Sequence, residues 1–300
     1  MSRIVVIGDV IDDILVTPHG PIRRDTDTES DIVYAQGGSA ANVAAWLGHL
    51  GAPVDFYGRV GSGDAARHTA TLAAHGVRAL IEEADDRPTG RIVILLDGDS
   101  RTFLNMGGAN RDLPVDVLTD ERLMGAAAVH ITGHSMLEPW RLARVPDLLG
   151  RTRRLGIPVV LDPSSAGFLR DVGVDNFLAA VAGVDILLPN RDEAEALTGL
   201  DDPEVAARAL TAVAPTVIVT CGADGSYVAE DPARMQSRVR VSHVPAEPAH
   251  VVDPTGAGDA FAAGFHAAVR RGLSPVDAAA AASTIAARAV TLSGARPPAP

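Results

Sequence analysis

AVHITGHSMLEPWRLARVPDLLGRTRRLGIPVVL, residues 128–161, reads as strand, helix and strand. Ala128–Ile131 and Val159–Leu161 are short and apolar on both faces, as strands buried in a helix-covered parallel sheet must be. Between them Trp140–Leu155 reads as helical, and Gly156 stands where a left-handed cap ends a helix. The alternation recurs outward in both directions. Ile4–Ile7, Val54–Tyr57, Ile186–Leu188 and Val217–Val219 supply further buried strands. Ala40–Leu50, Asp64–His75 and Pro203–Val213 supply helices, with Gly51 and Gly76 at cap positions. Repeated βα units predict an α/β fold: a doubly wound, mostly parallel sheet with helices on both faces. Ligands then bind outside the C-terminal ends of the strands.

Two regions break the pattern. Residues 14–36 are polar, carry Pro18 and Pro21, and include the short β-like segment Asp31–Tyr34. Residues 91–106 hold Ile92–Leu96, a turn at Asp97-Gly98-Asp99, then Thr102–Leu104, a hairpin pattern. Both read as strands of a small β flap, or lid, on a single domain spanning 1–300, although patterning alone fits ordinary surface hairpins equally well. Ile92–Leu96, with Arg91 and Arg101 only at its ends, reads as a flat apolar edge that a second copy would cover, giving a homodimer through the lid. The proline-rich tail, Arg296–Pro300, reads as frayed.

Composition sets further limits. A net charge of −12 argues against a nucleic-acid backbone as partner. The single cysteine, Cys221, rules out an internal disulfide framework and suits a reducing cytoplasm. Asp9 ends the first apolar run too early for a signal peptide, and no run approaches the roughly 20 apolar residues that span a bilayer. Lysine is absent, so a phosphate site must draw its positive charge from arginine, metal ions or helix N-termini. The histidines lack metal-ligand spacing, which argues against zinc.

The densest chemical signal is Val251–Phe265. Thr255–Gly258 is a small-residue turn that runs into a helix carrying Phe261, Phe265 and Ala268 on one face. Glycines let backbone N–H groups approach an anion closely, and the helix N-terminus adds its positive end. Gly256, Ala257 and Gly258 can thus stabilise charge on a transferred phosphoryl group. Asp259 falls in the first turn, where a carboxylate can accept a proton from a hydroxyl. On spacing alone, a structural helix-dipole aspartate fits as well.

Asp253-Pro254-Thr255-Gly256-Ala257-Gly258-Asp259 closely resembles the D-T-x-G-A-G-D motif of the ribokinase-like (PfkB) carbohydrate kinases, with proline at the second position. The other motifs follow in family order from Gly8 to Gly294. Gly37-Gly38-Ser39-Ala40-Ala41-Asn42 resembles the substrate motif G-G-x-x-x-N, and Asp13 matches the substrate aspartate, with Asp12 its neighbouring competitor. Asn190 and Glu193 match N-x-x-E, which the resemblance assigns to Mg²⁺ and phosphates through water; a capping box is the structural reading of the same residues. Thr220, Gly222 and Gly225 resemble the T-x-G-x-x-G nucleotide loop, and the helix begun at Ser274-Pro275 carries Ser283 on the implied adenine wall. His134 falls where the family often places a substrate-contacting polar residue, Asn110 resembles a G-A-N segment after the flap hairpin that a plain turn fits as well, and His130 reads as core. Asp253 and Thr255, with the stretch Ala289–Ala295, resemble a monovalent-cation site, which implies K⁺.

The resemblance therefore implies an ATP- and Mg²⁺-dependent kinase of a small sugar, with Asp259 as base. Asp162-Pro163-Ser164-Ser165 replaces a D-x-N-x-R segment, which disfavours acidic sugars. A nucleoside kinase of adenosine or pseudouridine type is the alternative, and the 4% aromatic content leans toward a sugar. A non-catalytic sugar or nucleotide sensor would not need the intact Asp259. A Rossmann dehydrogenase is disfavoured because Gly8 belongs to no G-x-G-x-x-G.

Overall fold

A computed structural model describes residues 2–97, 100–136, 138–231 and 238–298. Its main sheet has nine strands in the order β13-β12-β11-β10-β9-β8-β1-β4-β5. Seven are parallel: β1 (Arg3–Ile7), β4 (Val54–Gly61), β5 (Val77–Ala84), β8 (Ala126–Thr132), β9 (Val159–Asp162), β10 (Ile186–Leu187) and β11 (Thr216–Thr220). The hairpin β12 (Ser226–Glu230) and β13 (Arg240–Val244) extends one edge antiparallel. The expected strands are all present. β5, β12 and β13 were not anticipated; β5 and β13 are largely exposed or partly buried, while β12 buries Val228 and Ala229 within an apolar run of only three residues, Tyr227–Ala229.

Period two in the strands divides the core. Val5 and Ile7 of β1, Val129 and Ile131 of β8, and Val217 and Val219 of β11 pack into one cluster. Ile4, Val6, Val160 and Ile218 point the other way, onto Trp46, Phe56 and Phe265. Helices therefore cover both faces, since each fully buried aliphatic or aromatic side chain contributes about 1.5–3 kcal/mol only when it is covered. On the second face lie α1 (Ser39–His49), α10 (Ala257–Arg270) and α11 (Pro275–Ala289), with α1 and α11 both packed on α10. α11 starts as expected, with the Ser274 hydroxyl accepting from Asp277 N–H and Pro275 in its first turn.

The stretch 128–161 departs from expectation in one respect. The helix expected over Trp140–Leu155 is two helices, α4 (Pro139–Leu142) and α5 (Val145–Arg154). Pro146 lacks an N–H and its ring crowds the preceding turn, so a single continuous helix cannot form.

The lid is a separate four-stranded sheet, β3-β2-β6-β7. β2 (Ile11–Pro18) and β3 (Ser30–Gly37) form one hairpin; β6 (Gly90–Asp97) and β7 (Ser100–Met106) form the other. The hairpins join through a parallel β2–β6 pairing. Ile92–Leu96 is thus not an edge, because β6 lies between β2 and β7. The expected turn at Gly98-Asp99 lies outside the described residues. The tail is not frayed at Arg296, which is half-buried against the root of the lid and hydrogen-bonded there; residues 299–300 lie outside the described set.

Candidate active site

The C-terminal ends of β1, β8, β9 and β11, with the N-termini of α1 and α10, surround two adjoining cavities of about 470 and 260 Å³. Ser39, His134, Gly256 and Asp259 line both, so the cavities meet at Asp259.

Asp259 is held by α1. Ser39 Oγ donates to its Oδ1 at 2.7 Å, and Asn42 Nδ2 donates to its Oδ2 at 2.9 Å. Burial raises its pKa to about 8, with the charges of Asp162 and Asp9 adding to the rise and the two hydrogen bonds opposing it. A carboxyl so placed can exchange a proton near neutral pH. Gly256 precedes α10 with φ 76°, and no side chain caps the helix. Ala257 N–H turns back to Pro254 O at 3.2 Å, so of the expected Gly256–Gly258 amides that of Ala257 is already engaged.

The larger cavity gathers the expected acceptor residues Asp13, Gly38, Asn42, Asn110 and His134. Gly37 lies behind Asp13, where a Cβ would strike the Asp13 carboxyl. Gly38 has φ 97°, and its Cβ would come 2.5 Å from Asp9 O. Between the two neighbouring aspartates, the pleat decides: Asp13 faces the cavity, while Asp12 turns out to Arg67, with contacts of 2.6 and 3.0 Å. Burial raises the Asp13 pKa to about 7 against the lowering influence of Arg296. Asn110 is engaged by the backbone of Val10, at 3.0 Å on both its Oδ1 and its Nδ2, so it ties the lid root to the core as well as lining the cavity. His134 packs edge-on against Phe168. His130 is core, as expected, and its Nδ1 lies 3.1 Å from His266 Nε2.

The smaller cavity gathers Asn190, Glu193 and Thr220 with Asp162 and Gly258. Asn190 and Glu193 form a capping box on α8 (Arg191–Thr198), so the structural reading of N-x-x-E holds beside the functional one. Glu193 is raised by burial, and Asp162 is raised by burial and by the Glu193 charge. The remaining expected nucleotide residues, Gly222, Gly225 and Ser283, lie outside this cavity. Gly222 and Gly225 flank the turn after β11, and Ser283 Oγ accepts from Glu247 N–H at 2.8 Å.

Five site residues were not foreseen. Asp9 takes Ser39 N–H, Ala40 N–H and Thr132 O–H; Glu138 and Arg141 line the larger cavity; Asp162 lines the smaller; Arg296 stands behind Asn42. A carboxylate at a strand C-terminus, as at Asp9 and Asp162, was the one readable signal. Nothing in the tail sequence marked Arg296.

The family model for the pfkB family carbohydrate kinases matches residues 1–300. The chain belongs to this family. A fructokinase from Klebsiella pneumoniae is 32% identical, with 88% of this chain and 83% of the relative covered. A cytidine kinase from Thermococcus kodakarensis is 30% identical over 91% of this chain and 90% of its own length. The adenosine kinase of Sinorhizobium meliloti shares the fold with a TM-score of 0.85 at 24% identity, over 99% of this chain and 96% of the other. The fold is ribokinase-like, and the pfkB-family chain is a sugar or nucleoside phosphotransferase. Among the described residues, no helix is long and apolar enough to cross a membrane.

Proposed function

We propose that this pfkB-family enzyme, working as one kinase unit in the cytoplasm, transfers the γ-phosphoryl group of ATP to a hydroxyl of a small neutral sugar. The junction of two cavities at Asp259 carries this reading. The acceptor lies in the larger cavity, its hydroxyls on Asp13, Asn42 and the Gly38 backbone. The triphosphate end lies in the smaller one, with the nucleotide running past Thr220 toward Gly222, Gly225 and Ser283. Asp259 takes the proton from the attacking hydroxyl as the bond to phosphorus forms. The first-turn amides of α10 meet the charge on the phosphoryl oxygens. The lid, reaching the cavity through Ile92, Ile94 and Phe103, excludes water that would otherwise compete as acceptor.

The donor set suits Mg²⁺. Asp162 and Glu193 repel each other's charge across the smaller cavity, with Asn190 beside them, and an ion held there through water would relieve that repulsion. When bound with the phosphates, Mg²⁺ neutralises their charge. The K⁺ expectation falls on Asp253, whose Oδ1 accepts from Thr255 N–H and O–H and whose Oδ2 accepts from Gly294 N–H, so an ion there would share the carboxylate with these hydrogen bonds.

A second reading, a nucleoside acceptor, is favoured by the size and walls of the larger cavity. At about 470 Å³ it exceeds what one sugar ring needs, and Phe103 and Phe168 line it. An ADP-release panel of neutral sugars and nucleosides with Mg²⁺ tests both. Turnover on sugars supports the first, turnover on nucleosides alone replaces it with the second, and no turnover on either overturns both.

The lid also supports a homodimer, through its edge strands β3 and β7 rather than through Ile92–Leu96. Ile32, Val33, Tyr34 and Leu104 are each more than half exposed on these edge strands. Sedimentation equilibrium should give twice 31.0 kDa, and a mass of 31.0 kDa at micromolar concentration would refute it.

A further inference from the structure

Arg296 sits in the tail after α11, yet it is anchored directly behind the acceptor cavity. Its Nε donates to Asn42 Oδ1 at 3.1 Å, its Nη1 to Gln36 Oε1 at 3.0 Å, and its Nη2 to Gly37 O at 2.9 Å. The tail is anchored on either side of it: Trp46 Nε1 donates to Ala295 O at 2.9 Å, and Gly294 N–H donates to Asp253 Oδ2 at 2.9 Å.

A guanidinium can only donate, so the Asn42 atom facing it must be the carbonyl oxygen. The amide nitrogen is thereby turned toward Asp259, where it donates at 2.9 Å. Arg296 and the Asp259 carboxylate therefore hold the amide from both ends, and loss of Arg296 removes the donor that fixes its carbonyl end.

Arg296 also brings positive charge among carboxylates. Its charge acts on Asp9, Asp12 and Asp13 from the β1–β2 segment and on Asp259 from α10, and it adds to the burial that lowers the pKa of His68 in α2 (Ala65–Ala74) and of His75 just after that helix. Burial lowers its own pKa to about 10, which leaves it charged at neutral pH, and its charge opposes the burial that raises Asp13.

We infer that Arg296 is a positioning residue of the phosphoryl-transfer site: it holds the Asn42 amide toward the proposed base Asp259 and brings positive charge to the Asp13 carboxyl. The inference rests on the kinase reading above. It adds that the C-terminal tail, which contributes no group to the reacting atoms, determines whether the base and the acceptor carboxylate are competent. The tail thereby couples the root of the lid, at Gln36 and Gly37, to the turn before α10.

The test compares the full-length enzyme with Arg296→Gln, Arg296→Lys and Arg296→Ala on whichever acceptor the panel identifies. Arg296→Gln should lower kcat/KM for the acceptor at pH 7 by ~10-fold or more and move its acid limb up by about one pH unit, as loss of a nearby opposite charge does. The KM for ATP should stay within about twofold, since Arg296 makes no contact in the smaller cavity. Arg296→Lys keeps the charge without the fork, so its acid limb should stay near wild type while kcat falls. Arg296→Ala should regain activity in millimolar guanidinium, because a third cavity, lined by Gln36, Tyr34 and Arg296, opens on this side chain from outside. An unmoved acid limb in Arg296→Gln, or a parallel rise in the KM for ATP, overturns the inference. So does a drop in Arg296→Ala that guanidinium does not restore. If Arg296→Gln does not fold, the Lys and Ala variants decide it alone. A wild-type enzyme without turnover would instead sink the kinase reading on which the inference stands.

Discussion

Ser39 Oγ donates to Asp259 Oδ1 at 2.7 Å across 220 residues of sequence, and this contact joins the N-terminus of α1 to the N-terminus of α10. A hydrogen bond to the charged form lowers a carboxyl pKa, and burial acts in the opposite direction and dominates at Asp259. The proposed base is therefore tuned from α1, while the amides proposed to meet the phosphoryl group belong to its own helix.

Ser39→Ala should raise the Asp259 pKa above about 8 and move the acid limb of kcat/KM to higher pH, by on the order of one unit. At pH 7 the rate should fall about tenfold and recover as the pH approaches 9. A loss that is uniform across the pH range would show that the hydroxyl does something other than tune the base.

Asp259→Asn should lower turnover by about 10²–10⁴-fold, because an amide cannot take the hydroxyl proton, while ATP affinity is retained. Its effect on stability carries the opposite sign. The folded pKa of about 8 exceeds the unfolded 3.8, so the native state binds the extra proton and the wild type loses stability as pH rises between those values. The ligand-free Asp259→Asn variant should therefore melt above the wild type by a margin that grows with pH up to about 8 and then levels. A constant margin from pH 5 to 8 contradicts the raised pKa. More than half the wild-type rate would remove Asp259 from the role of base.

Asp13→Asn should raise the KM for the acceptor far more than the KM for ATP, since Asp13 faces only the larger cavity. Asn42→Ala differs. It also strips a donor from Asp259, so kcat and its pH dependence should change together with the acceptor KM. Equal effects of Asp13→Asn on the two KM values would misplace the acceptor.

Gly256→Ala should destabilise the protein by about 1–3 kcal/mol, because φ is 76° and the added Cβ would lie 2.7 Å from Ala295. Gly258→Ala meets nothing within 4 Å and sits in helical backbone, so its Tm should hold or rise. Thermal melts of the two variants side by side test this. If Gly256→Ala melts with the wild type, the tail does not pack on the turn as described.

Local physics made much of this protein legible in its sequence. Two-sided apolar runs gave the parallel strands, glycine and asparagine marked helix ends, and the turn Thr255–Gly258 with Asp259 carried its chemistry within a few residues. The capping box at Asn190 and Glu193 was readable for the same reason. What the sequence left open depended on side-chain direction or on distant partners. Asp12 and Asp13 are adjacent in a strand, so their side chains leave opposite faces, and only the register of β2 against β3 and β6 decides which one meets the acceptor cavity. Ile92–Leu96 looked like an edge because pairing is a property of the sheet and not of the strand. Arg296 lay in a tail with no periodic pattern to suggest order. Its partners Asn42, Gln36 and Gly37 are more than 250 residues away, and no local propensity encodes a contact at that separation; packing of the tail between α1 and the turn before α10 creates it.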